Sequence, residues 1–270
     1  MKKYKPLVSI LIVNYNNEKL LSRAITSCLM QTYKNIEITI YDDASTDKSV
    51  IKIKKFLYKK NIKFYLNSKK KSNIASFDAM NGYLFLFKKS KGSIICLLDS
   101  DDYYHNTKVA EVVKYFESNK KTQFLQNLPT IIKDENILFK KNKNNFFSFW
   151  PYLAPESCVS FRRNFLYNFI KNNKILKKKY EHVWFAFRMG VFSYFVQKSF
   201  GSLEKNLTYY QSLGQSKKYL FMSYNWFLRR KQSLDYLKKI SLNFSSIKFF
   251  IDYVVTFLIS KLLRTHLIYV

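Results

Sequence analysis

Cys96-Leu97-Leu98-Asp99-Ser100-Asp101-Asp102-Tyr103 is the stretch on which the fold turns. An apolar run from Ile94 to Leu98 stops abruptly at three carboxylates, in a chain with 47 Lys and Arg against 18 Asp and Glu. A buried strand that ends in paired carboxylates suits a hard divalent cation, which takes oxygen ligands and is often shared with substrate phosphates. Asp and Ser also make ordinary polar turns after strands. Alone, the stretch leaves both readings open.

Working outward, Leu7 to Val13 is apolar and β-rich and reads as a strand buried on both faces. Ile36–Tyr41 reads as a second strand and also stops at acids, Asp42-Asp43; Ile62–Leu66 and Ser93–Leu98 read as the third and fourth. Between them, Asn16 or Asn17 caps a helix with Leu21, Ala24, Ile25, Cys28 and Leu29 on one face. Ser45 caps another carrying Val50, Ile53 and Leu57, and a third lies between Ile74 and Lys89. Strands alternating with amphipathic helices predict an α/β fold, a doubly wound and mostly parallel sheet with helices on both faces. Ligands of such sheets bind beyond the carboxyl ends of the strands. Asn14-Tyr15, Asp42-Asp43 and Asp99 to Asp102 all fall on that edge, which favours the metal–phosphate reading over the turn.

Composition narrows the classes. A length of 270 residues fits one large domain or two halves sharing a core, and 47% hydrophobic content excludes wholesale disorder. No G-x-G-x-x-G follows the first strand, no P-loop is present, and His105, His182 and His266 offer no Ser–His–Asp set. Cys28, Cys96 and Cys158 are odd in number and widely spaced, which disfavours a zinc or disulfide framework and fits a reducing compartment. The lysine-rich start has too short an apolar run for a signal peptide, and no stretch reaches the roughly 18 apolar residues of a spanning helix. The net charge of +29 suits nucleic acid, an anionic membrane surface, or solvated faces enriched in lysine by coding bias. Acids at the presumed cleft oppose a polyanion, so no nucleic acid partner is expected.

The second half is less regular. Asn106 or Thr107 caps a helix bearing Val109, Val112, Val113 and Phe116, and Thr130–Lys133 pairs with Ile137–Lys140 as a hairpin. From Lys217 the chain turns to long helical stretches. Lys248, Asp252, Thr256, Ser260 and Arg264 recur every fourth residue, a narrow polar stripe on a mostly apolar helix. Such a helix lies in a membrane interface, packs on a second subunit, or covers its own core. Arg229-Arg230-Lys231 and Lys238-Lys239 suit anionic headgroups.

Three motifs carry a resemblance over about the first 110 residues. Pro6-Leu-Val-Ser-Ile-Leu-Ile-Val-Asn-Tyr-Asn16 comes first. Gln31-Thr-Tyr33 follows, with Ile36-Glu-Ile38 and Tyr41-Asp-Asp-Ala-Ser-Thr-Asp47, and then Leu97-Leu-Asp-Ser-Asp-Asp102. In order and spacing they resemble the family 2 glycosyltransferases of the GT-A fold. That resemblance implies a metal-dependent, inverting glycosyltransferase. It would move a sugar from a nucleotide-sugar donor, with a UDP-sugar expected, to a lipid-linked or membrane-proximal glycan acceptor. The product would be a bacterial surface polysaccharide such as capsule or lipooligosaccharide. The alternative is a non-catalytic nucleotide-sugar-binding subunit of a membrane assembly. The implied organisation is a nucleotide-sugar-binding half at 1–105, an acceptor-binding half at 106–215 and a helical C-terminal segment at 216–270. Expected with it are a cytoplasmic location, peripheral at the inner-membrane surface, and a possible homodimer through the last helix.

The resemblance also assigns roles. Val13 and Tyr15 would meet the donor's nucleobase, Asp43 would accept a hydrogen bond from the base edge, and Asp42 would shape that loop. Asp101 and Asp102 would hold Mn²⁺ or Mg²⁺ against the diphosphate, with Asp99 near the ribose or the metal shell. Lys71 would reach the diphosphate, in a segment that departs from the family's pattern. Pro155 to Arg163 resembles the segment that closes over the donor sugar, with Glu156 expected to face solvent. Where relatives carry an acidic pair before Trp184-Phe185 and Arg188, this chain has Glu181-His182. An inverting transferase needs one base. Either residue suits, since His titrates in the useful range, with Glu181 preferred. Leu207 to Leu213 lacks the Arg and His that relatives often carry there.

Overall fold

The uninterrupted apolar runs become strands because helices cover both of their faces. The structure, a computed structural model, describes residues 5–70, 72–133, 136–139, 151–172, 178–211, 219–240 and 247–266. The first half runs β1 (Val8–Asn14), α1 (Leu21–Leu29), β2 (Ile36–Asp42), α2 (Ser49–Lys54), β3 (Ile62–Leu66), α3 (Ala75–Lys89) and β4 (Ile94–Asp99). These strands are parallel in the order β3-β2-β1-β4. Val8, Ile10 and Ile12 pack on the side of α1, α2 and a later helix, whereas Leu11 and Val13 pack on the side of α3. Alternate residues therefore meet two cores; β1 and β4 are apolar on both faces up to their last residue but for Ser9, whereas β2 alternates Ile36, Ile38 and Ile40 with buried Glu37 and Thr39.

The second half adds β5 (Tyr103–Tyr104), α4 (Lys108–Ser118), β6 (Phe124–Lys133), β7 (Asn136–Phe139), β8 (Val159–Arg162), α5 (Arg163–Asn172), α6 (Phe185–Val191), β9 (Phe200–Gln211), α7 (Tyr224–Ile240) and α8 (Ile247–His266). Among the described residues one sheet runs β3-β2-β1-β4-β8-β6-β9-β5, with β7 on β6. β8 pairs antiparallel with β4 and β6, and β9 lies parallel to β6. The expected parallel unit is thus extended by a mixed second half. The expected hairpin is present as β6 and β7, which pair Thr130 with Phe139 and Lys133 with Asn136; Asp134, Glu135 and Lys140 lie outside the described residues.

Three expected caps do other work. No side-chain hydrogen bond caps α1, α2 or α4. Asn16 instead sits at φ 50 with Oδ1 accepting the Thr46 N–H at 2.8 Å, and the Ser45 hydroxyl donates to Asp42. Leu57 falls beyond α2 and is largely exposed. The first turn of α4 is held by buried Gln31, whose Oε1 accepts the Val109 N–H at 2.9 Å while its Nε2 donates to the His105 carbonyl at 2.9 Å. Gln31 therefore pins the loop after β4 to the end of α1.

The C-terminal segment does not stand apart. Leu234, Tyr236 and Leu237 of α7 share a core with Tyr180, Val183 and Val191. On α8 the polar stripe turns inward: Thr256 and Ser260 are buried, and Asp252 takes a two-pronged pair from Arg230 at 3.0 and 2.5 Å. Phe250 (66% exposed), Ile251 (58%), Leu258 (52%) and Leu262 (64%) face outward, while Phe249 is buried. Arg264's side chain lies outside the described residues.

Gly92 lies two residues before β4, close against Leu7 and Ser9 at the start of β1. A Cβ there would lie 2.5 Å from the Ser9 nitrogen, 2.5 Å from Ser9 Oγ and 2.8 Å from the Leu7 carbonyl. Two of these three atoms are backbone and cannot swing away. Gly92→Ala is expected to lower the unfolding free energy by about 1–3 kcal/mol, read from denaturant melts, because overpacking here must shift a central strand.

Candidate active site

The register of the parallel strands sets Asn14 beside Asp42 and Val13 beside Asp99. Their carboxyl ends open into a cavity of about 380 Å³. Val13, Tyr15, Asp43, Asp99 and Asp101 all line it, so the structure brings these five expected residues together. Ser76 and Asp78 of α3, Glu156, Trp184, Tyr210 and Gln211 also line it, as do Tyr219, Trp226 and Arg229.

Neighbouring Asp42 and Asp43 divide the work. Asp42 is fully buried and does not reach the cavity. Its Oδ1 accepts the Ser45 N–H at 2.8 Å, and its Oδ2 accepts from Ser45 Oγ at 2.8 Å and Asn14 Nδ2 at 2.6 Å. It braces the loop in which Ala44 takes φ 60. Asp43 Oδ1 accepts Asn67 Nδ2 at 2.7 Å, whereas its buried Oδ2 has no partner. An unsatisfied buried oxygen at a cavity wall suits a donor brought by a ligand. Tyr15 is 43% exposed, and Lys70 Nζ rests 3.4 Å from its ring centroid and 3.6 Å from Asp78. Burial, then the charge of Asp43, raises the Asp78 pKa against the pull of Lys70. Lys71, expected at the diphosphate, lies outside the described residues; among the described residues Lys70 is the lysine that lines the wall.

The Asp99–Asp102 stretch is braced from below. Asp99 accepts the Tyr83 hydroxyl at 2.7 Å and donates its N–H to Ser157 Oγ at 2.9 Å. Asp102 is 1% exposed and lines no part of the cavity; its Oδ1 accepts the Gln211 N–H at 2.7 Å. The Ser157 hydroxyl lies beside that carboxylate and draws its pKa down in part, without a hydrogen bond that satisfies Oδ2. The expected Asp101–Asp102 metal pair is therefore split: Asp101 shares the wall with Asp99, and Asp102 anchors β9. Burial pushes all three carboxyls up, and Glu156 and Asp101 push Asp99 further. Beneath them, buried Lys108 donates to the Ser157 carbonyl and to Thr208 Oγ1, and burial lowers its pKa to about 8.

Crowded hard carboxylate oxygens with too little positive charge between them fit a divalent cation. Among the described residues no three His, Cys, Asp or Glu are grouped to hold a metal by themselves. The remaining ligands would then be a substrate's oxygens and water, as magnesium-type sites commonly use.

Glu156, expected to face solvent, lines the cavity instead. Burial raises its pKa, while the N–H groups of Ala186 and Phe185 at the start of α6 and the charge of Arg229 favour its ionised form. Glu181 and His182 border the cavity without lining it. Ser76 Oγ donates to the Glu181 carbonyl, and buried Glu181 Oε2 has no partner. His182 Nδ1 lies 2.8 Å from the Tyr219 hydroxyl, and its carbonyl accepts Arg229 Nε at 3.1 Å. Ser76 and Tyr219 are both wall residues. Sequence reasoning missed Tyr219, Trp226 and Arg229, having read Arg229 only as a headgroup ligand. The available signal was an aromatic and a cation three apart on one helix face, Trp226 and Arg229. It also missed Lys108 and Tyr83, whose positions carry no motif.

The two adjacent aspartates should separate cleanly in stability measurements. Asp42→Ala leaves Ser45 and Asn14 unsatisfied and is expected to cost about 2–4 kcal/mol in denaturant melts, as for a buried, multiply bonded carboxylate. Asp43→Ala removes one bond and one repulsion and is expected to change stability by less than about 1 kcal/mol.

The family model described as Glycosyl transferase family 2 matches residues 9–197. Escherichia coli UDP-Glc:alpha-D-GlcNAc-diphosphoundecaprenol beta-1,3-glucosyltransferase WfaP is 40% identical over 114 residues, covering 42% of this chain and 43% of that protein. Pasteurella multocida chondroitin synthase is 32% identical over 155 residues, 57% of this chain and 15% of that one. The first curated relatives are thus matched over about half of their length or less. S. aureus TarS 1-349 in complex with UDP-GlcNAc shares the fold at a TM-score of 0.64 and 14% identity, over 96% of this chain and 71% of that chain. Mannosyltransferase PcManGT from Pyrobaculum calidifontis, in complex with GDP-Man and Mn²⁺, matches at 0.59 and 10% identity, over 94% and 69%. The GT-A architecture expected from the motifs is the one found. With more than half of its length inside the family model, the chain belongs to glycosyl transferase family 2.

Proposed function

We propose that this transferase is metal-dependent and inverting, and that it moves a sugar from a UDP-sugar to a lipid-linked glycan acceptor of a bacterial surface polysaccharide. The observation that carries the reading is the shared wall of Tyr15, Asp43, Asp99 and Asp101 at the carboxyl ends of parallel strands. Tyr15 offers its ring to a nucleobase once Lys70 moves off it, and the free Oδ2 of Asp43 accepts the base's N–H. A bound Mn²⁺ or Mg²⁺ would neutralise charge gathering on the departing diphosphate. Asp101 would hold it, with Asp99 beside it. Glu156 is placed to accept hydrogen bonds from donor-sugar hydroxyls. The acceptor's proton goes to the Glu181–His182 corner, reached past Ser76 and Tyr219. UDP is preferred because the E. coli relative's name carries UDP-Glc, although the solved neighbours hold UDP-GlcNAc and GDP-Man. The same relative's diphosphoundecaprenol acceptor supports a lipid-linked one here. A second reading, a nucleotide-sugar-binding subunit without turnover, is favoured by the position of Glu181 and His182 off the cavity wall.

Transfer and donor hydrolysis are measured with a panel of UDP- and GDP-sugars and Mn²⁺. Chelation and Asp101→Ala are each expected to lower turnover at least about 100-fold. At least one of Glu181→Gln and His182→Ala is expected to lose a similar factor while keeping UDP affinity, as for a lost base. Turnover that survives both, but collapses in Glu156→Gln without weaker donor binding, moves the base to Glu156. Binding of UDP with no hydrolysis of any donor establishes the second reading.

We further propose that the outward apolar face of α8 rests on an anionic membrane, at the cytoplasmic face of the inner membrane. Among the described residues no helix is long and apolar enough to cross one. The chain's +29 charge complements such a surface. Full-length chain is expected to co-sediment with phosphatidylglycerol vesicles, and the double substitution Phe250→Glu, Leu258→Glu to weaken that at least about tenfold. Concentration-dependent dimerisation abolished by the same substitutions, without vesicle binding, would assign the face to a second copy instead.

A further inference from the structure

Among the described residues the cavity wall carries Asp43, Asp78, Asp99, Asp101 and Glu156 against two cations, Lys70 and Arg229. Lys70 is committed to Tyr15 and Asp78. Arg229 lies elsewhere on the wall, within range of Glu156. Its guanidinium is sandwiched, with Cζ 3.1 Å from the Tyr219 ring centroid and 4.3 Å from that of Trp184. Nε is spent on the His182 carbonyl at 3.1 Å. Nη2 is buried and has no partner. Burial lowers the pKa of this group, a hydrogen bond with the Tyr219 hydroxyl and the nearby charge of Glu156 oppose that, and a guanidinium keeps its proton at neutral pH.

A charged donor fixed by stacking, with one N–H pair left unsatisfied, is ready for an anionic oxygen that the protein does not itself supply. The cavity that would receive that oxygen is lined by Asp99 and Asp101, where the diphosphate of the proposed donor lies. Arg229 comes from α7, beyond the residues 9–197 that the family model matches, so the model assigns it nothing. We infer that Arg229 is the diphosphate-binding cation of this enzyme, its Nη2 donating to a phosphate oxygen of the nucleotide and opposing the charge left when the sugar departs. The inference rests on the nucleotide-sugar reading above. Because Arg229 also holds the carbonyl of His182, it ties the leaving group to the corner proposed to take the acceptor's proton.

The test compares uridine with UDP, in Mn²⁺, on full-length wild type, Arg229→Lys and Arg229→Met by titration calorimetry. Arg229→Met is expected to lose about 10- to 100-fold in UDP affinity, the size of one charge-assisted hydrogen bond, with uridine affinity within about twofold of wild type. Arg229→Lys is expected to recover part of the loss, since it keeps the charge and not the planar fork. UDP affinity unchanged in Arg229→Met overturns the inference, as does a parallel fall for uridine and UDP, which marks a purely structural role. A loss confined to UDP-glucuronic acid, with UDP and UDP-glucose unaffected, also overturns it and assigns Arg229 to a sugar carboxylate. If Arg229→Met does not fold, Arg229→Gln carries the same comparison and the same outcomes. Wild type that binds neither UDP nor any other nucleoside diphosphate overturns the proposed function, and this inference with it.

Discussion

The parallel register of β1 with β2 and β4 is the constraint on which the rest of the molecule depends. It brings Asn14, Asp42 and Asp99 level at one edge of the sheet. β4 is apolar from Ile94 to Leu98 and ends on Asp99; β1 and β2 carry buried Ser9, Glu37 and Thr39 within them and end on Asn14 and Asp42. Helices cover the two faces, and the carboxylates of Asp43, Asp99 and Asp101 are presented together past those ends. A slip of one residue would turn Leu11 and Val13 to the other core and take Asp99 out of line with Val13. The chemistry is thus located by hydrophobic burial. The acids are carried to their positions by strands that have no choice of register.

Electrostatics then sorts the acids by what surrounds them. Asp42 is buried but satisfied, with three hydrogen bonds to its two oxygens, and acts as a strut. Asp102 is a strut of a different kind, tying β9 to the loop after β4 above buried Lys108. Asp43, Asp99 and Asp101 are left on the cavity wall; burial raises the pKa of Asp99 and Asp101, and the charges of Glu156 and Asp101 raise that of Asp99 further, a strain that a ligand or ion with positive charge would relieve. The excess of lysine does not solve this locally. Two cations reach the wall among the described residues, and one of them is already paired with Asp78.

Some residues could not be read from their position in the chain. Lys71 was placed at the diphosphate by the resemblance and lies outside the described residues, whereas Lys70 lines the cavity. Glu156 was expected to face solvent, but the first turn of α6, nearly 30 residues on, supplies N–H groups that favour its carboxylate inside the cavity. The stripe on α8 was read with the correct spacing and no direction. Arg230 settles the direction, since its pair with Asp252 turns the polar side toward α7 and leaves Phe250 and Leu258 outward.

By itself the sequence determined the parallel sheet, the edge where ligands meet it, and the placement of Tyr15 and of the acid groups Asp42-Asp43 and Asp99 to Asp102 there. Those follow from strand period and burial, which act over a few residues and are written in local pattern. Only the tertiary structure decided which of two adjacent acids faces the cavity, and that Tyr219, Trp226 and Arg229 close it from a segment over 100 residues beyond Asp101. Side-chain direction at a loop, and the docking of a distant helix, depend on contacts between residues far apart in the chain. No local pattern records them.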